Sequence, residues 1–223
     1  MSSGSQPRRL RADAARNRQA LIDAAQRLFA ARGLAVTLDE IAAEAGVNVA
    51  TAYRHFANKH ELAATFLQQK IDQAAAIAQE AIAVEDPWEG LCRFLERALE
   101  LMVANRDLHD VFTPGYAAEW LEQLDERVDP LLGRLIAAAQ RAGALRPDIE
   151  AGDLGVILQM LATVTDIPTG DQSTLLRRYL ELILAGLRPA DTPLPGTPPT
   201  PAEAREGMTP RRRPGGATGR ETR

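Results

Sequence analysis

A run of polar side chains in the first third of the chain has the chemistry that binding to a nucleic acid requires. Hydroxyl, guanidinium and imidazole groups can bind phosphate oxygens and base edges. The candidates are Thr51, Tyr53, Arg54 and His55. Ala50 is small enough to let a backbone approach a groove, and either Val49 or Ala50 can contact a thymine methyl group. The Lys59 ammonium can hold a phosphate together with free N–H groups at a helix start. An ordinary polar helix surface is the alternative, so the elements that hold these residues decide between the two.

Two short helices are predicted to position these side chains. Thr37 and Glu40 have the Thr-x-x-Glu spacing of a capping box, and Gly46 ends the helix that they begin. A further short helix follows over residues 48–56. Neither helix can bury a face alone, so both must pack on the preceding amphipathic helix, predicted over residues 13–32. This arrangement is a helix-turn-helix, in which the second short helix enters the major groove.

The rest of the chain continues the helical pattern. Asn58 and Glu61 repeat the box spacing and begin a helix that extends to residue 83, and Asp86 followed by Pro87 begins the next one. Further helices are predicted over residues 107–112, 116–142 with a bend at Pro130, 150–166 and 172–186. No stretch alternates as a strand does. We therefore predict an all-α fold of about nine helices, with an N-terminal three-helix helix-turn-helix domain and a C-terminal helical bundle.

Composition divides the chain into four parts. Residues 1–10 lack periodicity and are predicted to be a flexible arm. Residues 11–70 form the helix-turn-helix domain and residues 71–188 the helical body. The tail over residues 189–223 holds eight of the 14 prolines and few large apolar residues, so it is predicted to be disordered. Its run Arg211-Arg212-Arg213 is interpreted as a solubilising end or as a non-specific contact with nucleic acid.

Charge is unevenly distributed along the chain. The formal net charge is −4, but residues 1–62 hold nine basic and six acidic residues, a balance of +3. The remainder holds 17 basic and 24 acidic residues, a balance of −7. This split indicates a basic interaction end on an acidic body. With one cysteine, no secretory signal and no membrane-length apolar run, we expect a cytoplasmic protein.

No catalytic or metal-binding motif is found. His60 and His109 have no second ligand at metal spacing, and P-loop, HExxH and dinucleotide motifs are missing, so we expect no metal, no cofactor and no enzyme. Cys92 lies on an apolar stripe, which favours an inert buried thiol over a redox sensor.

The stretch around the two short helices resembles the TetR family of bacterial regulators, over about residues 16–70. The resemblance rests on Arg32-Gly33, Thr37, Ile41-Ala42, Ala45-Gly46-Val47, Thr51-x-Tyr53-x-His55-Phe56 and Asn58-Lys59-x-x-Leu62. Asn48, Ala52 and Ala57 stand where Ser, Leu and Pro are common in the family.

The resemblance implies a division of roles among the polar residues. Thr37, Tyr53 and Lys59 would hold phosphates, and His55 would pack or touch a phosphate. The residues that would face bases are Val49, Ala50, Thr51 and Arg54. It also implies a homodimer and a pocket among the middle helices for a small molecule. The many large apolar residues on these helices predict that the pocket is mostly apolar and that the effector is a small apolar molecule.

The residues of the dimer interface and of the pocket are predicted from apolar positions. The last helix has an apolar surface wide enough to serve a second subunit as well as the core. The interface is predicted to include Leu154, Leu158, Leu161, Leu176, Tyr179, Leu180, Ile183 and Leu187. The pocket is predicted to be lined by Phe66, Cys92, Leu95, Trp120 and Met160.

Together these features predict a transcriptional regulator that acts as a repressor. It would bind double-stranded DNA at a palindromic operator and leave it when an effector binds. A DNA-binding protein controlled by a protein partner is the alternative, and an enzyme on a helical scaffold is disfavoured.

Overall fold

The computed structural model describes residues 6–104, 122–168 and 171–206, and this part of the chain contains helices and no strand. The predicted all-α fold is therefore confirmed. The helices are α1 (Gln6–Arg32), α2 (Leu38–Glu44), α3 (Val49–His55), α4 (Lys59–Ile82), α5 (Pro87–Ala104), α6 (Asp129–Arg141), α7 (Ala151–Thr163), α8 (Gln172–Gly186) and α9 (Pro201–Glu206). Short 3-10 turns follow α1 and α7, and residues 122–127 are helical up to a turn at Val128.

Helix boundaries agree with the predicted caps. Asp86 caps α5 by accepting from the backbone N–H of Trp88 at 2.8 Å, and α8 has the predicted bounds. The helix predicted over residues 116–142 is interrupted at Val128, two residues before Pro130. The helix predicted over residues 107–112 lies outside the described residues, as do residues 116–121.

The start of the chain differs from the prediction. α1 begins at Gln6, so residues 6–10 of the predicted arm are helical, and residues 1–5 lie outside the described part. The helix extends backwards because nothing between Gln6 and Asp13 breaks it: Pro7 stands in the first turn, where its missing N–H is tolerated.

Two hydrophobic cores share one helix. The head core joins α1, α2 and α3 through side chains that include Phe29, Ile41 and Phe56. The body core joins the later helices, including α5, α6, α7 and α8. The first half of α4 contributes Leu62 and Phe66 to the head, and its second half contributes Ile71, Ala75 and Ala78 to the body. α4 is thus the rigid element that connects the two.

Residues 189–206, which we call the strap, pack against the body. Their last helix, α9, lies on α7, and Ala204 and Arg205 are buried. The prediction of a disordered tail is wrong for these residues, because polar anchors and rigid prolines hold the segment without a large apolar surface. Residues 207–223, with Arg211–Arg213, lie outside the described residues.

Candidate nucleic-acid interface

α2 is fixed at its start by the predicted capping box. The Glu40 backbone N–H donates to Thr37 Oγ1 at 3.2 Å, and the Thr37 backbone N–H donates to Glu40 Oε2 at 2.7 Å. Arg32, at the end of α1, donates to Glu40 Oε1 at 2.8 Å. The Thr37 N–H and the Arg32 guanidinium lower the pKa of Glu40 to about 2. The carboxylate is therefore ionised at physiological pH and ties α2 to α1.

The turn between α2 and α3 depends on Gly46. Its φ of 65° lies in the left-handed region that glycine adopts without steric cost. The backbone N–H groups of Gly46 and Val47 donate back to Ala43 and Ala42 at 3.1 and 2.9 Å, which closes α2 as a glycine C-cap does. Asn48 then caps α3 by accepting from the Ala50 N–H at 2.9 Å. The two short helices are thereby fixed relative to each other.

α3 presents one face to the head core and another to the outside. Ala52 and Phe56 are buried in that core. Val49, Ala50, Tyr53 and Arg54 are exposed, whereas Thr51 and His55 are partly buried. Arg54 has no ion-pair partner among the described residues, so its guanidinium projects unpaired from the surface. The outer face of α3 thus carries most of the side chains that the sequence singled out for base contact.

Tyr53 lies near an acidic residue of α2. The residue is 51% exposed, and the nearby carboxylate of Asp39, in the first turn of α2, raises the pKa of Tyr53. A phosphate oxygen that approaches Tyr53 would therefore meet the negative charge of Asp39 close by.

Lys59 lies where α1 and α4 meet. Its ammonium donates to the backbone carbonyl oxygen of Leu34 at 2.6 Å, a contact the sequence does not signal. Two N–H donors of the ammonium remain, which is enough for a phosphate. Asn58 caps α4 as predicted, but Glu61 accepts from the backbone N–H of Ala57 and not from that of Asn58.

Arg18 is a basic residue of this surface that the sequence reasoning missed. Its guanidinium lies 5.0 Å from the centroid of the Phe56 ring, where α3 ends. It is exposed and lies on α1, ahead of Arg32, the first of the residues on which the family resemblance rests. In the sequence, the only indication of a role for Arg18 in binding is its place among several basic residues of the amphipathic first helix.

The four predicted pocket residues that the structure describes lie in different surroundings, and the pocket stays a prediction. Phe66 belongs to the head core and not to the body, and Met160 is half-exposed on the surface of the single chain. Leu95 is buried in the body core and Cys92 packs against it. Burial raises the pKa of the Cys92 thiol to about 11, which keeps it protonated. Trp120 lies outside the described residues.

Most of the residues predicted for the dimer interface face the core of their own chain. Five of them are buried in the body core of the same chain: Leu154, Leu158, Leu161, Leu180 and Leu187. Leu176 and Ile183 pack partly against that core. Tyr179 remains exposed, and so do Leu182 of α8, Met160 of α7 and Ile167. The large apolar side chains left exposed on α7 and α8 therefore include residues outside the predicted set.

In the described residues no group of three His, Cys, Asp or Glu side chains is placed to hold a metal. No helix of this part of the chain is long and apolar enough to cross a membrane.

Both parts of the fold match known families. Residues 21–65 match the family described as bacterial regulatory proteins, tetR family, and residues 86–189 match the C-terminal domain of SbtR-like transcriptional regulators. The HTH-type transcriptional repressor BepR of Brucella suis is 31% identical over 170 residues, which are 68% of this chain and 79% of that protein.

Other relatives match over less of their length. The HTH-type transcriptional regulator TcmR of Streptomyces glaucescens is 34% identical to this chain. The match covers 56% of this chain and 61% of TcmR. The regulator BetI of Rhizobium meliloti is also 34% identical, and the chain spans 48% of its length.

The fold of the chain is similar to solved structures of regulators. A TetR regulatory protein from Mycobacterium vanbaalenii is 33% identical, with a TM-score of 0.59 over 80% of this chain and 99% of that chain. One from Streptomyces coelicolor is 28% identical, with a TM-score of 0.61 over 78% and 99%. The chain therefore belongs to the TetR family of bacterial transcriptional regulators, which are DNA-binding proteins and not enzymes.

Proposed function

We propose that this protein is a homodimeric repressor that binds a palindromic operator and leaves it when a small apolar molecule binds to the body. The observation that carries the proposal is the exposed face of α3, with Val49, Tyr53 and Arg54 outside and Ala52 and Phe56 buried behind them. A helix held from behind in this way can enter a major groove without unfolding. The Brucella relative is a transcriptional repressor by name, which supports the direction of control, and a DNA target implies the bacterial cytoplasm.

The proposed contacts with DNA are of two kinds, contacts with base edges and contacts with phosphates. We assign base contact to Val49, Ala50, Thr51 and Arg54, as the family resemblance implies; all of them are exposed on α3 except Thr51, which is partly buried. Phosphates would be held by Thr37, Tyr53 and Lys59, with His55 packing or touching a phosphate, and the exposed Arg18 adds a positive charge beside α3. Phosphate contacts fix the register of the protein, whereas base contacts select the sequence.

Response to an effector would pass through α4. This helix carries residues of both cores, so a shift in the body would change the position of the head. We place the effector site in the body, with Leu95, Cys92 and Trp120 as the predicted lining that remains. A small displacement of α4 in each subunit would change the distance between the two reading helices of the dimer.

Selection of DNA from a random-sequence library by the full-length protein tests the proposal. We expect enriched sequences with two inverted half-sites whose centres are roughly 10–10.5 base pairs apart, or slightly more, since successive major grooves repeat at that distance. Enrichment of a single, unrepeated half-site would contradict a twofold reader. The absence of any enriched sequence would contradict the function as a whole.

Lys59→Ala is expected to weaken binding to all DNA sequences alike. The variant loses one phosphate contact, so the slope of log affinity against log salt falls by about one. It also loses the bond to the Leu34 carbonyl, so the free energy of unfolding falls by about 1 kcal/mol. Titrations of the selected palindrome and of scrambled DNA over a range of salt concentrations measure the first effect, and urea unfolding measures the second.

The matched control is Lys70→Ala. Lys70 is the other lysine of α4, and its ammonium lies 5.0 Å from the centroid of the Phe66 ring, more than ten residues further along the chain. It should leave the salt slope unchanged. An unchanged slope in Lys59→Ala as well would remove Lys59 from the phosphate contacts.

A further inference from the structure

The beginning of the strap is anchored by a buried arginine. The Arg146 guanidinium, in a residue only 7% exposed, donates to both oxygens of Asp148 at 2.6 and 2.9 Å and to the carbonyl oxygen of Thr192 at 2.9 Å. The backbone N–H of Leu194 donates to Asp148 Oδ2 at 2.7 Å. These bonds hold the pKa of Asp148 well below its usual range. One charged pair of the body therefore binds the strap backbone at two points.

The middle of the strap is seated on glycines of α7. A Cβ at Gly152 would overlap the carbonyl oxygen of Pro199, so only glycine leaves room for the strap there. A Cβ at Gly155 would lie 3.3 Å from the Cβ of Ala204. With the strap in place, the side chains of Met160, Tyr179 and Leu182 remain exposed.

The end of the strap reaches the segment over residues 122–129. Thr200 and Glu203 form a capping box that begins α9, with N–H to oxygen distances of 2.8 and 3.2 Å. The side chain of Arg205, a residue 8% exposed, pairs with Asp125 and Asp129. An arginine buried between two carboxylates is costly to leave unpaired, so this contact joins the strap to the segment over residues 122–129.

The same segment is attached to α4. Arg127 lies between the two carboxylates in sequence and pairs with Asp72 of α4 at 2.7 Å. α6, which follows the segment, also packs on α4. A continuous series of contacts thus leads from the strap to the helix that carries the DNA-binding head.

We propose that the strap is a built-in positioning device: when docked, it holds residues 122–129 against the body and through them keeps α4 in the position that binds DNA. The family match ends at residue 189, where the strap begins, so this device is an addition to the matched domains. Arg205 acts as a positioning residue, because its effect on the head passes through Arg127 and Asp72. The effect on DNA rests on the proposed function, whereas the docking itself does not.

Hydrogen exchange of the full-length protein tests the device in two matched pairs of variants. Gly152→Ala adds the single methyl group that collides with the strap, and Gly133→Ala adds the same group to α6, where nothing lies within 4 Å. Arg205→Ala removes the strap arginine, and Arg134→Ala removes an exposed arginine of α6 that has no ion pair among the described residues. Alanine favours a helix more than glycine does, so a loss of protection in Gly152→Ala cannot result from a weakened α7.

We expect faster exchange in the strap, in residues 122–129 and around Asp72 in Gly152→Ala and Arg205→Ala, with wild-type exchange in both controls. Arg127→Ala should speed exchange around Asp72 while the strap keeps its protection. Faster exchange confined to the strap in the first two variants would overturn the proposal, as would unchanged exchange around Asp72 in Arg127→Ala.

Affinity for the selected palindrome is the second measurement. Both strap variants should bind it about five- to tenfold more weakly, the size of a modest coupling between distant sites. If variants with faster exchange in residues 122–129 bind the palindrome with wild-type affinity, the proposed coupling between this segment and the head is overturned. A wild-type protein that selects no palindrome would contradict the proposed function, whereas the exchange comparison decides the role of the strap without DNA.

Discussion

Replacing Tyr179 and Leu182 together by glutamate is expected to convert the protein into a monomer and to weaken operator binding by about a hundredfold or more. Both side chains are exposed, by 38% and 67%. Their spacing of three residues places them on one face of α8. A twofold interface would bring the same patches of two subunits together, so four new carboxylates would meet there and lose their water. Each monomer would then hold one half-site only.

The measurements are light scattering and a titration of the selected palindrome. The pair Tyr179 and Leu182 is preferable to one that includes Ile183, because Ile183 packs against the body core and its replacement would also destabilise the monomer. Arg177→Glu is the matched control, since it changes the net charge by the same −2 from another side of α8, where Arg177 is exposed. A double variant that remains dimeric, or a wild-type protein that is monomeric at micromolar concentration, would refute this interface.

Arg54→Ala is expected to cost about 1–3 kcal/mol of binding free energy on the palindrome, roughly a five- to 150-fold loss of affinity, and to relax the preference at one position of each half-site. A guanidinium can donate two hydrogen bonds to the edge of a guanine. Because Arg54 is exposed and has no ion pair among the described residues, its removal should leave the free energy of unfolding nearly unchanged. The effect should therefore appear in binding alone.

Repeating the DNA selection with the variant measures the lost preference. Arg54→Lys is the informative comparison, because it keeps the positive charge but lacks the planar fork of two donors. We expect it to retain the salt slope and to lose the preference. If Arg54→Ala selects the wild-type sequence at every position, then Arg54 does not read a base.

Features that depend on neighbours in the sequence were predicted well. Thr37, Asn58 and Asp86 cap helices because each side chain bonds to backbone groups two or three residues away. Gly46 closes a turn for the same local reason. These signals placed the two short helices and the exposed face of α3 before any tertiary contact was considered.

Features that depend on distant contacts were not predicted. Arg205 finds Asp125 and Asp129, 80 and 76 residues earlier, and Gly152 makes room for Pro199. Composition rules for disorder count apolar surface, and the strap has little of it. A segment held by buried charge pairs and by backbone packing on glycine gives no periodic signal.

The wide apolar surface of α8 is a second feature that depends on distant contacts. Its periodicity indicated that two partners were needed, but not which residues face each of them. Leu180 and Leu184 face the core of the same chain, whereas Tyr179 and Leu182 face outwards. Phe66 was misplaced for a related reason, because α4 changes from one core to the other within a few residues.

The most direct test of DNA reading by α3 is hydrogen exchange of the wild-type protein with and without the selected palindrome. We predict that bound DNA slows exchange at the starts of α2, α3 and α4, including Thr37, Val49, Ala50 and Lys59. Scrambled DNA of equal length should slow it less. Slowed exchange confined to the body or the strap, with these three helix starts unchanged, would show that α3 is not the reading helix.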